Sequence, residues 1–159
     1  MSAAAPGARL LRLWRRFAPL PGGAWLFSRL LGWTVPYSGT LGARVVALEP
    51  GHARLVMRER RGLRNHLRSI HALALANLGE LTSGLATTVA LPAGVRGIVT
   101  ALTVEYLKKA RGTISAECTC APPSVIAATD FEVHTLLTDR DGDTVARVTV
   151  RWRLAPERE

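Results

Sequence analysis

A single carboxylate interrupts a long apolar stretch near the middle of the chain. Glu80 is the only charged residue between Arg68 and Arg96 if His71 is neutral. Burying a lone carboxylate is unfavourable by several kcal/mol unless the group is paired, hydrogen-bonded or protonated. A carboxylate in such surroundings has a shifted pKa, as general bases and nucleophiles often do. Glu80 is therefore the first candidate catalytic residue.

The residues that share a helical face with Glu80 favour the same interpretation. Asn77 precedes it by three residues, and Ser83 and Gly84 follow it by three and four, so a helix places all of them together. A polar notch of this kind in an apolar helix is typical of a site with a tuned base. On these residues alone, a structural glutamate that reaches the sheet edge or an interface is an equally good explanation.

The start of the same helix offers a second chemical group. Its first backbone N–H groups, near His71 and Ala72, have no partner inside the helix and can stabilise a negatively charged oxygen. Ala72 and Glu80 are separated by about 12 Å along the helix axis, so one helix cannot present both to one carbonyl. A two-fold dimer with antiparallel helices would bring Glu80 of one chain opposite the helix start of the other.

Other polar residues are weaker candidates. Asn65 and His66 precede the helix, where they either line a pocket or are solvated, and His71 fits a cap or packing role better than a catalytic one. A basic turn further along either binds nucleotide phosphates or is simply solvated. The basic residues of this turn are Lys108, Lys109 and Arg111.

Recognisable metal and cofactor motifs are missing from the sequence. There is no HxxxH or HExxH pair, no Cys/His cluster, no GxSxG elbow and no glycine-rich phosphate loop. Cys118 and Cys120 are one residue apart and have no second pair of ligands nearby, which indicates a reducing compartment. We therefore expect no metal, no cofactor and a cytoplasmic location.

Length, composition and charge exclude several classes of protein. With 159 residues, 48% of them hydrophobic, the chain is long enough for one domain and is not intrinsically disordered. The net charge is +9, and no acidic residue precedes Glu49. Base-stacking aromatics and helix-turn-helix or zinc motifs are missing, so we expect no nucleic-acid partner. Charged residues interrupt the apolar runs, which argues against a secretory signal and a membrane-spanning helix.

The N-terminal part of the chain reads as a helical extension over residues 1–38. Leucines and arginines alternate at helical spacing over 10–18, and a second short helix is predicted over 24–31. Two interpretations stay open. The helices either pack on the main domain with their arginines in water, or they contact a membrane surface or a partner through residues 9–33.

The rest of the chain predicts an α+β domain over residues 39–155, followed by a tail over 156–159. A strand hairpin comes first, then one long apolar helix over 70–90 with Ser69 as its N-cap, then four strands in an antiparallel meander. The helix is apolar on nearly every face, so other elements must cover it. A curved antiparallel sheet wrapped around this central helix is the economical arrangement.

Several blocks of the sequence resemble those of a known superfamily. Residues 65–72, NHLRSIHA, followed by Glu80, resemble the N…xxHGG…D/E motif of hotdog-fold acyl-CoA thioesterases of the phenylacetate-pathway kind. The KKARG turn at 108–112 and the DGDTV hairpin at 141–145 are similar to theirs as well. The closest resemblance is to the family DUF4442, a branch with an N-terminal helical extension.

The resemblance implies the hotdog fold and the hydrolysis of an acyl-CoA or acyl-carrier thioester by a homodimer or a dimer of dimers. It implies that Glu80 is the general base or the nucleophile, that the N–H of Ala72 polarises the thioester carbonyl, and that Asn65 holds the carbonyl or water. Around the substrate we expect His66, His71 and Ser83, and at the CoA phosphates Lys108, Lys109 and Arg111.

The chain departs from the thioesterase motif at one point. It has Ala72-Leu73 where those enzymes have two glycines, and Leu73 narrows the approach that glycine leaves open. A non-catalytic acyl-thioester-binding or membrane-associated protein is therefore the alternative. A hydroxyacyl-thioester dehydratase that pairs His66 with Glu80 ranks lower, because the proline- and glycine-rich loop of those enzymes is missing.

Overall fold

Three helices form the N-terminal extension in the computed structural model, which describes residues 6–157. They are α1 (Pro6–Phe17), α2 (Gly23–Thr34) and α3 (Pro36–Gly39). The first two were predicted, although α2 continues three residues beyond its predicted end, and the short α3 was not. Residues 1–5 of the extension and the last two residues of the predicted tail lie outside the described residues.

The extension shares the hydrophobic core of the main domain. Leu11 and Trp14 of α1 are buried, and the ring of Phe27 from α2 meets that of Trp14 edge-on, with centroids 5.1 Å apart. The arginines of α1 are exposed, so the predicted amphipathic pattern is confirmed. Within residues 6–157, no helix is long and apolar enough to cross a membrane.

Six strands form one antiparallel sheet with the order β1-β2-β4-β5-β6-β3. Their bounds are β1 (Arg44–Glu49), β2 (His52–Arg58), β3 (Val95–Tyr106), β4 (Thr113–Thr119), β5 (Thr129–Thr138) and β6 (Thr144–Pro156). The hairpin β1-β2 and the consecutive strands β4 to β6 follow the prediction. The prediction of a four-stranded meander was wrong. Strand β3 lies at the far edge beside β6, and β4 pairs with β2 instead.

Matching strand lengths explain this order. Strands β3 and β6 are 12 and 13 residues long and pair from Val95↔Pro156 to Tyr106↔Ala146. Strands β2 and β4 are seven residues each and pair along their whole length. Each long strand therefore satisfies its backbone hydrogen bonds against a partner of similar length.

The central helix α4 (Ala72–Ala90) contacts all six strands, as its apolar sequence requires. It approaches β6 closely at Gly79, where a Cβ atom would lie only 2.4 Å from Cγ2 of Val148. The predicted N-cap, Ser69, was wrong. His71 caps the helix, and Ser69 is buried in the preceding loop, where its hydroxyl donates to Asn65.

The two faces of the sheet differ sharply in polarity. On β6, Val148, Val150 and Leu154 are fully buried against the core, as the alternating pattern predicts. The intervening arginines form exposed ion pairs with neighbouring strands. These pairs are Arg147–Glu105, Arg151–Glu132 and Arg153–Asp130.

Candidate active site

A cleft of about 340 Å³ lies where α4 begins. Its walls come from the loop before the helix, the first turn of α4 and the turn between β3 and β4. Four of the sequence-predicted site residues line this cleft together with one tyrosine. They are Asn65, Ala72, Lys108, Lys109 and Tyr106. The fold thus gathers groups from two separate segments of the chain, 65–75 and 106–110.

The helix start leaves one backbone donor free at this cleft. Nδ1 of His71 accepts the N–H of Leu73 at 3.1 Å, and the carbonyl of His71 accepts the N–H of Ala74 at 2.9 Å. The N–H of Ala72 has no acceptor among residues 6–157. At the next peptide, the Tyr106 hydroxyl donates to the carbonyl of Ala72 at 3.0 Å and so holds the first turn in place. The Ala72 N–H is therefore available to an oxygen in the cleft.

Asn65 shapes the loop with its side-chain oxygen. Oδ1 accepts the N–H groups of Leu67 and Ser69 and the hydroxyl of Ser69, at 2.9 to 3.2 Å. The side-chain NH₂ makes no hydrogen bond to the described residues. One end of the amide thus builds the loop, and the other end can donate to a ligand in the cleft.

Glu80 lies on the second turn beyond this cleft and is half-buried. Burial raises the pKa of its carboxyl above the ordinary value, because desolvation disfavours the charged form. Within the described part of the chain, no group donates a hydrogen bond or forms an ion pair with this carboxylate. A half-buried acid with a raised pKa and no fixed partner is suited to accept a proton.

Trp152 borders the same small space as Glu80. A Cβ atom on Gly84 would lie 3.5 Å from the Trp152 ring and 4.0 Å from Oε1 of Glu80, so Gly84 leaves room between the two side chains. The indole Nε1 of Trp152 is buried and has no hydrogen-bond partner among residues 6–157. A buried indole N–H normally finds an acceptor, so this unpaired donor sets Trp152 apart from an ordinary core residue.

The basic turn combines one fixed lysine with free cations. Nζ of Lys108 binds the carboxylates of Asp139 and Asp143 at 2.8 and 2.6 Å, which raises its pKa and fastens the turn to the β5-β6 hairpin. Lys109 and Arg111 are exposed and form no ion pair with the described residues. Of the three predicted phosphate-binding residues, these two have free charged groups.

All three predicted substrate residues lie outside the cleft lining. His71 uses its Nδ1 to cap the helix. His66 is exposed in the loop before the helix. Ser83 is fully buried, and its hydroxyl donates to the backbone oxygen of Glu80 at 2.8 Å. This bond uses the Ser83 donor within the helix, so the position of Ser83 supports the Glu80 turn and gives no access to a ligand.

Three residues that sequence reasoning did not single out also shape the site. Tyr106 holds the helix start, Trp152 borders Glu80, and Glu59 accepts hydrogen bonds from Arg64 and from the backbone N–H of Gly112. The Gly112 hydrogen bond lowers the pKa of Glu59, whose carboxylate ties the loop before α4 to the basic turn. Nothing in the local sequence marks these contacts, because their partners are between 5 and 72 residues away.

Solved structures with this architecture include three informative examples. A structural-genomics target is 29% identical, with a TM-score of 0.81 over 94% of this chain and 99% of its own. A Pseudomonas aeruginosa protein of unknown function, described as a probable thioesterase, is 25% identical, with a TM-score of 0.75 over 87% of this chain and 97% of its own. A Streptococcus mutans protein bound to acetyl-CoA is 20% identical, with a TM-score of 0.62 over 72% of this chain and 90% of its own.

The fold and the family follow from these comparisons. The six-stranded curved sheet around one central helix is the hotdog fold of the thioesterase superfamily. No protein among those with curated functions matches the chain. The model of the family described as a domain of unknown function, DUF4442, matches residues 23–154, which is most of the chain. The chain therefore belongs to the DUF4442 family and, through its hotdog fold, to the thioesterase superfamily.

Proposed function

We propose that this protein hydrolyses acyl thioesters, with acyl-CoA as the substrate class, at a site shared between two copies of the chain. The observation that carries the proposal is a free backbone donor at the start of α4, combined with a desolvated carboxylate on the same helix. A thioester hydrolase needs both groups: one for the developing oxyanion and one to activate the attacking water.

The chemistry follows from these groups. The thioester carbonyl accepts hydrogen bonds from the Ala72 N–H and from the free amide of Asn65. Water attacks the carbonyl carbon while Glu80 takes its proton, and the tetrahedral intermediate then releases the thiol, which receives that proton, and the carboxylic acid. In the alternative course, the Glu80 carboxylate attacks the carbonyl carbon and expels the thiolate, which leaves a mixed anhydride. Water then hydrolyses the anhydride, which releases the carboxylic acid, regenerates the Glu80 carboxylate and supplies the proton that the thiolate takes up.

Two observations support a site shared between subunits. Ala72 and Glu80 are about 12 Å apart along the helix, which is too far for both to act on one carbonyl. The outer edge of β3 carries no strand within the described residues, although this strand is 12 residues long and exposes Ile98 and Leu102 by 66% and 43%. An uncovered apolar edge of this length normally pairs with another strand. Antiparallel pairing of two β3 edges gives a two-fold homodimer.

The basic turn provides the second half of the substrate site. Lys109 lines the cleft, and Arg111 lies beyond it in the same turn. Both are free to bind the phosphates of CoA, while Lys108 keeps the turn fixed to the hairpin. The acetyl-CoA bound to the Streptococcus mutans protein and the description of the Pseudomonas aeruginosa protein as a probable thioesterase support this substrate class.

Hydrolysis of a panel of acyl-CoAs of different chain length tests the proposal, with two variants at one position. Ala72→Pro removes the N–H, and proline is well tolerated at the first position of a helix, where His71 already has the extended backbone that precedes proline. We expect loss of turnover of about 100-fold. Ala72→Gly keeps the N–H and should keep most of the activity. Equal loss in both variants would contradict a role for this donor.

Mixing two inactive variants tests the shared site. Subunits of Glu80→Gln and Ala72→Pro are unfolded together and refolded, so that mixed dimers form. Each mixed dimer has one complete site if Glu80 and Ala72 come from different chains, and about a quarter of the wild-type activity should return. No recovery, with mixed dimers demonstrated by mass spectrometry, would place the whole site in one chain.

One feature favours a second candidate function, a non-catalytic acyl-thioester-binding protein. Leu73 is 63% exposed on the first turn of α4, next to the free N–H, and restricts how closely a thioester can approach. Acyl-CoA binding by calorimetry without turnover of any acyl-CoA in the panel would favour this function. Turnover that increases when Leu73 is replaced by Gly would favour the hydrolase.

A further inference from the structure

Helix α2 is apolar on both of its sides, but only one side is covered. Phe27 points into the core and is 1% exposed. At helical spacing, the opposite side carries Trp25, Leu26, Arg29 and Trp33, and the three apolar residues of this set are 60%, 39% and 72% exposed. We call these four residues the aromatic face. An uncovered apolar face of this kind normally contacts another surface.

The part of the chain that contains this face is positively charged. No acidic residue precedes Glu49, and all six arginines in that part of the chain are exposed. None of the six forms an ion pair with the described residues. Arg29 on this face and Arg44 beside it therefore carry unneutralised positive charge, which repels an identical face of a second copy.

A cavity of about 680 Å³ opens beside the aromatic face, between α2, α3 and β1. Leu55 is one of the apolar residues that line it, and Trp33, Arg29 and Arg44 line it as well. This combination of apolar wall and cationic groups suits a molecule with an apolar part and an anionic head.

We propose that the aromatic face docks on an anionic lipid bilayer. Tryptophan side chains prefer the boundary between headgroups and acyl chains, because their rings are apolar and their N–H is polar. Arg29 and Arg44 lie beside the two tryptophans, where headgroup phosphates would be. The apolar side of α1 packs into the core through Leu11 and Trp14, so the contact predicted from sequence over residues 9–33 is narrowed to α2. This docking does not depend on the thioesterase proposal.

Sedimentation of the full chain with vesicles tests the proposal. One set of vesicles contains phosphatidylserine in phosphatidylcholine, and the other contains phosphatidylcholine alone. We expect binding to the anionic vesicles and a decrease in affinity on the order of tenfold in the double variant Trp25→Ser/Trp33→Ser. The matched control, Ile126→Ser/Leu136→Ser, removes two exposed apolar residues elsewhere and should bind as the wild type does.

Tryptophan fluorescence gives a second readout that needs no separation step. Of the four tryptophans, Trp14 and Trp152 are 8% exposed, so only Trp25 and Trp33 can report transfer from water to lipid. Anionic vesicles should shift the emission of the wild type to shorter wavelength, and vesicles of phosphatidylcholine alone should not. The circular dichroism and melting temperature of both double variants should match those of the wild type.

Charge reversal separates electrostatic from purely apolar binding. Arg29→Glu should weaken binding to the anionic vesicles about fivefold or more, and Arg140→Glu, an exposed control in the β5-β6 turn, should change it less. Unchanged binding of the Trp25→Ser/Trp33→Ser variant would overturn the proposal, as would equal binding to neutral and anionic vesicles. Failure to bind either vesicle, with a smaller assembly for the double variant in analytical ultracentrifugation, would assign the face to a second copy instead.

Discussion

Helices α2 and α4 are both rich in apolar residues, yet the fold treats them differently. Helix α4 is covered by the sheet and the N-terminal helices, and Leu78 and Ala86 are completely buried. Helix α2 has one side on the core and leaves Trp25 and Trp33 in solvent. The number of apolar residues in a helix therefore does not determine how many are buried. The surrounding elements decide that.

Each of the two helices contains one charged residue, and this residue points to a function. In α4 this residue is Glu80, a carboxylate where an apolar environment raises its pKa. In α2 it is Arg29, an exposed cation between two tryptophans. A lone charged group in a covered helix favours a catalytic role, because burial shifts its pKa. A lone charge on an uncovered apolar face favours contact with an oppositely charged surface.

The largest expected effect comes from the charged residue of the covered helix. Glu80→Gln keeps the shape and removes the proposed base, so acyl-CoA turnover should fall by about 100- to 10,000-fold. Glu49→Gln, an exposed control at the end of β1, should leave turnover unchanged. Steady-state rates on the best acyl-CoA of the panel measure both. Turnover by Glu80→Gln at the wild-type rate would contradict the proposed mechanism.

A leucine from each helix tests the difference in burial directly. Leu78→Ala removes a fully buried side chain of α4 and should lower the free energy of unfolding by about 2–5 kcal/mol. Leu26→Ala on α2, where the side chain is 39% exposed, should change it by roughly 0.5 kcal/mol or less. Urea unfolding followed by circular dichroism measures both values. Similar losses in the two variants would mean that α2 is covered as α4 is.

Two glycines of α4 show how closely the sheet approaches the covered helix. In Gly79→Ala the new Cβ would meet Val148 at 2.4 Å, so we expect a loss of about 1–3 kcal/mol. In Gly84→Ala the nearest atom, in the Trp152 ring, lies 3.5 Å away, so the gain in helix propensity of up to about 1 kcal/mol should be retained. Thermal unfolding of both variants shows whether the loss is specific to the tight packing at Gly79 or occurs on substitution anywhere in α4.

The smallest expected effect is a pH dependence of stability. Because burial raises the pKa of Glu80, the folded state binds its proton more tightly than the unfolded chain does. The stability from this proton is fully present below the ordinary pKa of 4.5 and is lost as pH rises through the folded-state value. Glu80→Gln should therefore melt at a higher temperature than the wild type near about pH 8, and the difference should shrink toward about pH 4. A difference that stays constant with pH would show that Glu80 is not desolvated.

Much of the fold could be predicted from periodicity. The central helix was expected over 70–90 and spans Ala72–Ala90, and the strand alternation of β6 is as expected. The cap was missed because Ser69 and His71 are both local candidates, and only the backbone geometry of the loop selects His71. The place of β3 was missed because sequence order favours pairing with the next strand, whereas the structure pairs β3 with β6, a strand of similar length.

The sequence by itself determined that one long apolar helix carries a single carboxylate and that six arginines precede the first acidic residue. It also determined that apolar and polar residues alternate along the strands, as in a sheet with one buried face. These are properties of residue type and spacing, which are local. Only the tertiary structure decided that the Tyr106 hydroxyl holds the helix start, that Trp152 borders Glu80, and that Trp25 and Trp33 stay exposed. The first two are contacts between residues far apart in the chain, and the exposure of the two tryptophans depends on which surfaces the other elements cover.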